Sequence, residues 1–332
     1  MATVQATKQT QLTMVQALQS ALVEEMERDE DVVILGEDIG PRGGVFLITE
    51  GLIDKFGADR VIDTPLAEAG IIGAAVGMAM YGLKPIAEIQ FIDFIFPGFD
   101  LLVSEAAKIR YRSAGQFGVP MVIRSPYGGG VRGGSYHSQS PESYFVATPG
   151  LKVVVPSNPY DAKGLLIASV RDPDPVVFME PKKIYRAIKS DVPAGTYEVP
   201  LGKAALTREG KHVSIITYGA MVHVALEAAD AMAKEGVEVE VLDLRTLQPY
   251  DTDAIMHTIA RTGHVVLLQE APRIGGYTGE IAAFIAENGV EYLEGPIVRV
   301  AGWDTAFPYA LEKAYMPNAQ RVIRGIKKTL NF

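Results

Sequence analysis

Apolar positions along the chain switch between a helical spacing and short, nearly continuous runs. That alternation gives the first outline of the fold. Met14, Leu18, Leu22 and Met26 form a helical stripe, and Thr13 with Gln16 has the spacing of a capping box, so a helix is expected to begin at Thr13. A buried strand over 32–36 follows and ends in Glu37-Asp38, ahead of a glycine-rich turn over 40–44. The next helix is expected from Thr64 as N-cap, with Pro65 just inside its start and Ala67, Gly70, Gly73, Ala74 and Gly77 repeating along it. No charge occurs from Ala69 to Leu83, so this helix is expected to be buried.

Further along the pattern predicts a strand over 84–91, a helix over 97–112, strands over 119–124 and 151–155, a helix over 160–170 and a strand over 175–179. Periodicity then lapses into Ser, Pro, Gly and Tyr over 187–203, which reads as a linker. Strands over 213–218, 237–242, 264–268 and 297–300 follow, with helices over 221–234, 252–261, 277–287 and from Arg321. Apolar strands alternating with helices mark parallel sheets covered on both faces. The expectation is an α/β protein with two tandem parallel-sheet α/β domains, at 13–186 and 204–332, preceded by a loose tail over 1–12. A length of 332 residues suits two cores better than one.

Charge narrows the function. Lys plus Arg number 31 against 40 Asp plus Glu, a net charge of −9, and no basic stripe is long enough to follow a phosphate backbone, so nucleic acid is not an expected partner. Arg321, Arg324, Lys327 and Lys328 fit a solvated face of the last helix, where cations suit the dipole. The chain has no cysteine, which excludes disulfides, thiolate metal sites and a Cys nucleophile and agrees with a reducing compartment. The longest uncharged helix candidate is too short for a bilayer, and the first 12 residues match no signal or transit peptide, so a cytoplasmic location is expected and no membrane.

Ligands of open parallel sheets collect at the carboxyl ends of strands. Glu37-Asp38, the segment over 90–94 and the loop over 125–140 fall at such ends, and together with Glu68 they can share one crevice. Glu68 is a lone carboxylate in the first turn of an uncharged helix; a carboxylate there also simply complements the helix dipole. His137 is the only histidine of the first domain and lies on a glycine-rich loop, where it suits general acid–base work or plain solvent exposure. His212, His223, His257 and His264 fall on or beside regular elements of the second domain, where surface or core-edge roles are expected. Gly128, Gly130 and Gly133 formally match a dinucleotide fingerprint. The third glycine should open a helix, yet the sequence continues as loop, so the match carries little.

Several blocks in order resemble the beta subunit of the thiamine diphosphate dependent dehydrogenase component of 2-oxo acid dehydrogenase complexes. Among them are Leu35-Gly36-Glu37-Asp38, Asp63-Thr64-Pro65-Leu66-Ala67-Glu68, Ala87-Glu88-Ile89-Gln90, Arg110-Tyr111-Arg112, His137-Ser138-Gln139-Ser140-Pro141-Glu142 and Asp243-Leu244-Arg245-Thr246. The resemblance runs from about Leu12 to Phe332 and implies a thiamine pyrimidine-binding domain followed by a transketolase C-terminal-type domain. It implies that Glu68 hydrogen-bonds the aminopyrimidine ring and so activates the thiazolium carbon. By the same matching Glu37, Leu66, Ala67, Gln90 and Phe94 line the cofactor's pyrimidine end, Phe91, Ile92, Asp93 and Phe94 border the substrate, and His137 assists acyl transfer to a lipoyl group. Branched-chain members often carry Tyr where this chain has Phe94.

The sequence lacks the Gly-Asp-Gly motif that holds magnesium and the diphosphate. The resemblance places that half on an alpha subunit, making an α2β2 heterotetramer that serves the lipoyl and subunit-binding domains of a dihydrolipoyl acyltransferase. Asp172 and Asp174 fall where relatives bind a structural potassium ion. The substrate implied is a branched-chain 2-oxo acid, with pyruvate as the alternative. A self-sufficient transketolase-like enzyme and a non-catalytic scaffold are the rival readings.

Overall fold

A computed structural model describes residues 9–332. Strand β1 (Gln9–Thr13) leads into helix α1 (Met14–Arg28), whose Thr13 and Gln16 form the capping box. Met14, Leu18, Leu22 and Met26 are all buried, each contributing roughly 2 kcal/mol of apolar transfer. Strand β2 (Val32–Glu37), helix α2 (Leu52–Phe56), strand β3 (Val61–Thr64), helix α3 (Glu68–Met80) and strand β4 (Lys84–Glu88) follow. Next come α4 (Ile109–Arg112), β5 (Val122–Tyr127), α5 (Glu142–Val146), β6 (Lys152–Val154), α6 (Pro159–Arg171), β7 (Val176–Pro181) and β8 (Lys189–Pro193). The second half holds β9 (Ala205–Arg208), β10 (Val213–Thr217), α7 (Met221–Ala233), β11 (Val239–Asp243), β12 (Thr246–Gln248), α8 (Thr252–Thr262), β13 (Val265–Pro272), α9 (Thr278–Asn288), β14 (Val298–Gly302), α10 (Glu312–Tyr315) and α11 (Ala319–Leu330).

Two sheets carry the fold, in the orders β12-β6-β7-β5-β4-β2-β3 and β14-β13-β10-β11-β9. Every pairing within them is parallel except at one edge of each, where β12 and β9 run antiparallel. Successive strand residues feed opposite faces: Ile34, Ile86, Val122 and Ile215 join one apolar cluster, and Leu35, Ala87, Ile123 and Ile216 join the other. Both clusters continue from the first sheet into the second, so the two halves share their cores. None of the described helices is long and apolar enough to cross a membrane.

Five expectations change. Residues 9–12 belong to β1, which pairs antiparallel with β8 (Gln9↔Pro193, Thr13↔Lys189), so these tail residues are ordered and part of the expected linker is a strand; residues 1–8 lie outside the described residues. β12 comes from the second half yet completes the first sheet by pairing with β6. Thr64 caps no helix: it ends β3 opposite Glu37, extended as residues before proline prefer, and α3 starts four residues later, at Glu68 behind Ala67. The helix expected over 97–112 breaks into a tight turn (Phe96–Gly98), a wide π-helical run (Leu101–Ala106) and α4. This segment is pressed onto α3: a Cβ on Gly98 would stand 3.0 Å from the Glu68 carbonyl oxygen, and one on Gly73 3.2 Å from Leu101. Nor is α3 buried all round. Ile71, Ile72, Ala75, Val76 and Ala79 face the core, whereas Gly70, Ala74 and Gly77 form an open side.

Candidate active site

The carboxyl ends of β2, β3, β4 and β5 lie side by side, because their parallel registers pair Glu37 with Thr64, Gly36 with Glu88, and Glu88 with Arg124. Glu37 therefore ends its strand beside the segment that leads to Glu68. Burial pushes the Glu37 carboxyl up, and the negative charges of Asp38, Glu68 and Asp63 push it further in the same direction. Four carboxylates thus share one electrostatic neighbourhood. Gln90 Nε2 donates to Asp38 Oδ2 at 3.3 Å, and Arg42 approaches the same oxygen at 3.2 Å. Asp38 adopts a left-handed backbone (φ 58°) at this corner.

Glu68 is half-buried at the first position of α3, and Leu66 and Ala67 before it are exposed, Leu66 by 69%. Thr64 Oγ1 beside them is buried with no hydrogen-bond partner among the described residues. This side of the site is open.

The histidine is half-buried as well, but aromatic rings line it. His137 packs edge-on against Phe91, with ring centroids 4.6 Å apart, and against Phe94 at 5.2 Å; Phe46 backs Phe91 at 5.7 Å. Asp93 Oδ1 accepts the Gln139 N–H at 3.0 Å, whereas Oδ2 is buried without a partner among the described residues. Burial pushes the Asp93 carboxyl up, against the opposing pull of that N–H and of the Lys182 ammonium. A cleft of about 660 Å³ opens beyond Asp93, between Phe96, Gln139 and Ser140 of the first half and Pro272 and Gly276 of the second.

The structure brings Glu37 and Glu68 together, sets Gln90 on Asp38, and gathers Phe91, Asp93 and Phe94 around the His137 loop. Ile92, between Phe91 and Asp93, is fully buried. Asp172 and Asp174 are already neutralised, the first by Lys152 Nζ at 2.7 Å and the second by Arg110. Among the described residues no group of three or more His, Cys, Asp or Glu is placed to hold a metal. At the glycine fingerprint, Gly129 N–H donates to the Glu270 carboxylate, so a carboxylate already occupies the place a phosphate would need. His223 hydrogen-bonds Ser157 O at 2.7 Å, His212 accepts the Glu238 N–H at 2.8 Å, and His257 is exposed, roles at the edge of the core or surface.

Sequence reasoning passed over Lys182 and Glu270, two buried charged residues flanking the His137 loop. Their signal was a charge at the carboxyl end of an apolar strand, Lys182 directly after Val176–Pro181 and Glu270 within Val265–Pro272.

The pyrimidine-binding domain of transketolase matches residues 10–188, and the transketolase C-terminal domain matches residues 202–322. The chain is 52% identical over 97% of its length to the mitochondrial 2-oxoisovalerate dehydrogenase subunit beta of Dictyostelium discoideum, covering 87% of that protein. It is 51% identical to the 2-oxoisovalerate dehydrogenase subunit beta of Bacillus subtilis, covering 97% of this chain and 99% of that one. The same two coverages hold for a pyruvate dehydrogenase E1 component subunit beta of Staphylococcus aureus at 48% identity. A solved structure titled as a split-gene transketolase, inactive beta4 tetramer, has the same fold, with a TM-score of 0.77 at 24% identity over 97% of this chain and 99% of that one.

Proposed function

The chain belongs to the family of 2-oxo acid dehydrogenase beta subunits, and from that membership we propose that it decarboxylates a branched-chain 2-oxo acid as half of an α2β2 enzyme. The acyl group then passes to the lipoyl group of a dihydrolipoyl acyltransferase. Near-full-length identity of about half to 2-oxoisovalerate dehydrogenase beta subunits carries this reading.

The residues present fit the aminopyrimidine end of thiamine diphosphate: a half-buried carboxylate at Glu68, the apolar Leu66 and Ala67 beside it, and the unpartnered Thr64 hydroxyl. When bound, the cofactor supplies the nucleophilic carbon and electron sink that decarboxylation of a 2-oxo acid needs. Glu68 would hydrogen-bond the aminopyrimidine ring, and Glu37 and Gln90 would border that end. Phe91 and Phe94 cover part of the half-buried imidazole and fix its orientation by edge-on packing. His137 delivers a proton to the lipoyl sulfur released when the acyl–sulfur bond forms and the sulfur–sulfur bond breaks. Asp93 shapes the substrate end with the two phenylalanines.

The diphosphate and magnesium belong in this reading to the alpha subunit, since no Gly-Asp-Gly occurs here. The open Gly70, Ala74 and Gly77 side of α3 and the exposed Leu66 suit close contact with that subunit. A potassium ion near Asp172 and Asp174 would take backbone carbonyls, the carboxylates being engaged by Lys152 and Arg110. We assign the protein to the cytoplasm, where a cysteine-free chain loses nothing to reduction.

Pyruvate is the second reading, favoured by Phe94 in place of Tyr and by the 48% identity to a pyruvate dehydrogenase subunit. Steady-state kcat/KM for 3-methyl-2-oxobutanoate and for pyruvate, measured on the reconstituted heterotetramer, separates the two. A higher value for pyruvate overturns the branched-chain assignment. Intact Glu68 and His137 oppose a non-catalytic scaffold.

A further inference from the structure

We infer that Glu270, a buried carboxylate of the second half, is a positioning residue for His137, acting through both ends of the loop that carries it. The inference rests on the proposed role of His137 in acyl transfer.

Glu270 lies on β13 and is 3% exposed. Both of its hydrogen-bond donors sit on the histidine loop: the Gly129 N–H at the start, and the Ser140 hydroxyl at 3.4 Å at the end, each on Oε1. One oxygen therefore gathers the two ends of a segment that spans His137. The same neck is closed by Gly128 N–H donating to Gln139 O at 2.9 Å. Only glycine fits at 128, where φ is +80° and a Cβ would stand 2.8 Å from Glu270 Oε1. On the other side Lys182 Nζ donates to Gly128 O and stands 5.8 Å over the ring of Phe91, the residue that packs on His137. The crown of the loop is held by the second half as well, through Ser135 Oγ to Phe307 O at 3.0 Å and Arg132 N–H to Glu312 Oε2 at 2.9 Å.

Burying a carboxylate costs several kcal/mol unless it is well bonded, so a residue kept only for packing would not need to be one. Here the carboxylate bonds the loop, and the loop fixes the imidazole against Phe91 and Phe94. A catalytic group must be held within a fraction of an ångström by such support. Releasing one end of the loop should loosen His137 while leaving the Glu68 side untouched.

The test uses the α2β2 holoenzyme with thiamine diphosphate and magnesium, comparing wild type, Glu270→Ala and Glu270→Gln. The first readout is the rate at which diethyl pyrocarbonate modifies each of the five histidines, resolved by peptide mass spectrometry. In Glu270→Ala the His137 rate should rise about fivefold or more while His223 and His264 stay at their wild-type rates. Glu270→Gln, whose amide oxygen still accepts from Gly129 N–H, should restore most of the protection. The second readout compares reductive acylation of a lipoyl domain with decarboxylation into an artificial electron acceptor; the former should fall about tenfold more than the latter in Glu270→Ala. Unchanged His137 labelling in Glu270→Ala, or all histidines rising together, overturns the inference. If Glu270→Ala does not assemble, Ser140→Ala should raise the His137 rate alone, and no rise overturns it. Should labelling shift as expected while His137→Ala leaves acyl transfer intact, positioning stands and the proposed role of His137 fails.

Discussion

Glu68 follows β3 and His137 follows β5 in one sheet, with β2 and β4 between them, and the two half-buried side chains differ in what supports them. His137 is walled by Phe91 and Phe94, and its loop is tied down by Glu270, Lys182 and Glu312. Glu68 is half-buried behind exposed Leu66 and Ala67, on a helix with one open side of small residues. In the proposed reading the chain braces the acyl-transfer side of its site by itself and leaves the cofactor side to a partner. The site proposed to be split between subunits accounts for the difference: surface that a partner covers needs no internal support, whereas a histidine proposed to meet a lipoyl arm does.

The largest effect should come from the open side. Glu68→Gln in the heterotetramer should lower decarboxylation about a thousandfold, by steady-state assay, with the chain's own unfolding midpoint within about 0.5 kcal/mol of wild type. A large stability loss would show Glu68 to be a structural residue and break the contrast. Arg124→Met acts on β5, the strand that leads into the histidine loop. Arg124 is buried with its Nε 2.7 Å from Glu180 and a terminal nitrogen 2.6 Å from Glu88, and Tyr185 also donates to Glu180 at 2.6 Å. Removing it strands two buried carboxylates and should cost about 3–5 kcal/mol in denaturant unfolding. His137→Ala should lower reductive acylation about a hundredfold and decarboxylation much less; equal losses in both would mean that the two halves do not divide the reaction.

The smallest effect is a pH slope. Glu142 follows the histidine loop, accepts from the Tyr218 hydroxyl, and is pushed up to about 7 by burial from an ordinary value of 4.5. The folded chain therefore keeps a proton that the unfolded chain releases near 4.5, so this contribution is fully present below 4.5 and is lost as pH rises through about 7. Asp243, also raised to about 7 by burial, acts with the same sign. Glu142→Gln should flatten, without abolishing, the fall in urea midpoint between pH 5 and pH 7.5; an unchanged slope would mean that Glu142 is ionised throughout.

Much of this was legible in the chain. The Thr13–Gln16 capping box and the apolar stripe behind it predicted α1 because local hydrogen bonds and burial point the same way there. The strand runs were visible because both faces of a parallel sheet are buried. β1 was not, since Gln9–Thr13 is mostly exposed and its pairing with β8 rests on backbone hydrogen bonds that leave no apolar rhythm. β12 is three residues long and is defined by a neighbour some ninety positions away. Pro65 misled because the same residue that can open a helix also holds the preceding Thr64 extended. Blocks of sequence pointed to Glu68 and His137, whereas Glu270 and Lys182 are single charges whose meaning comes from the loop they meet in space.

The most direct test of a site half built in this chain is 2-oxo acid decarboxylation, with thiamine diphosphate and magnesium, by the purified chain alone and after mixing with its alpha subunit. The account predicts no turnover by the chain alone, turnover on mixing, and none on mixing with Glu68→Gln. Turnover by the chain alone, or a fully active Glu68→Gln heterotetramer, would contradict it.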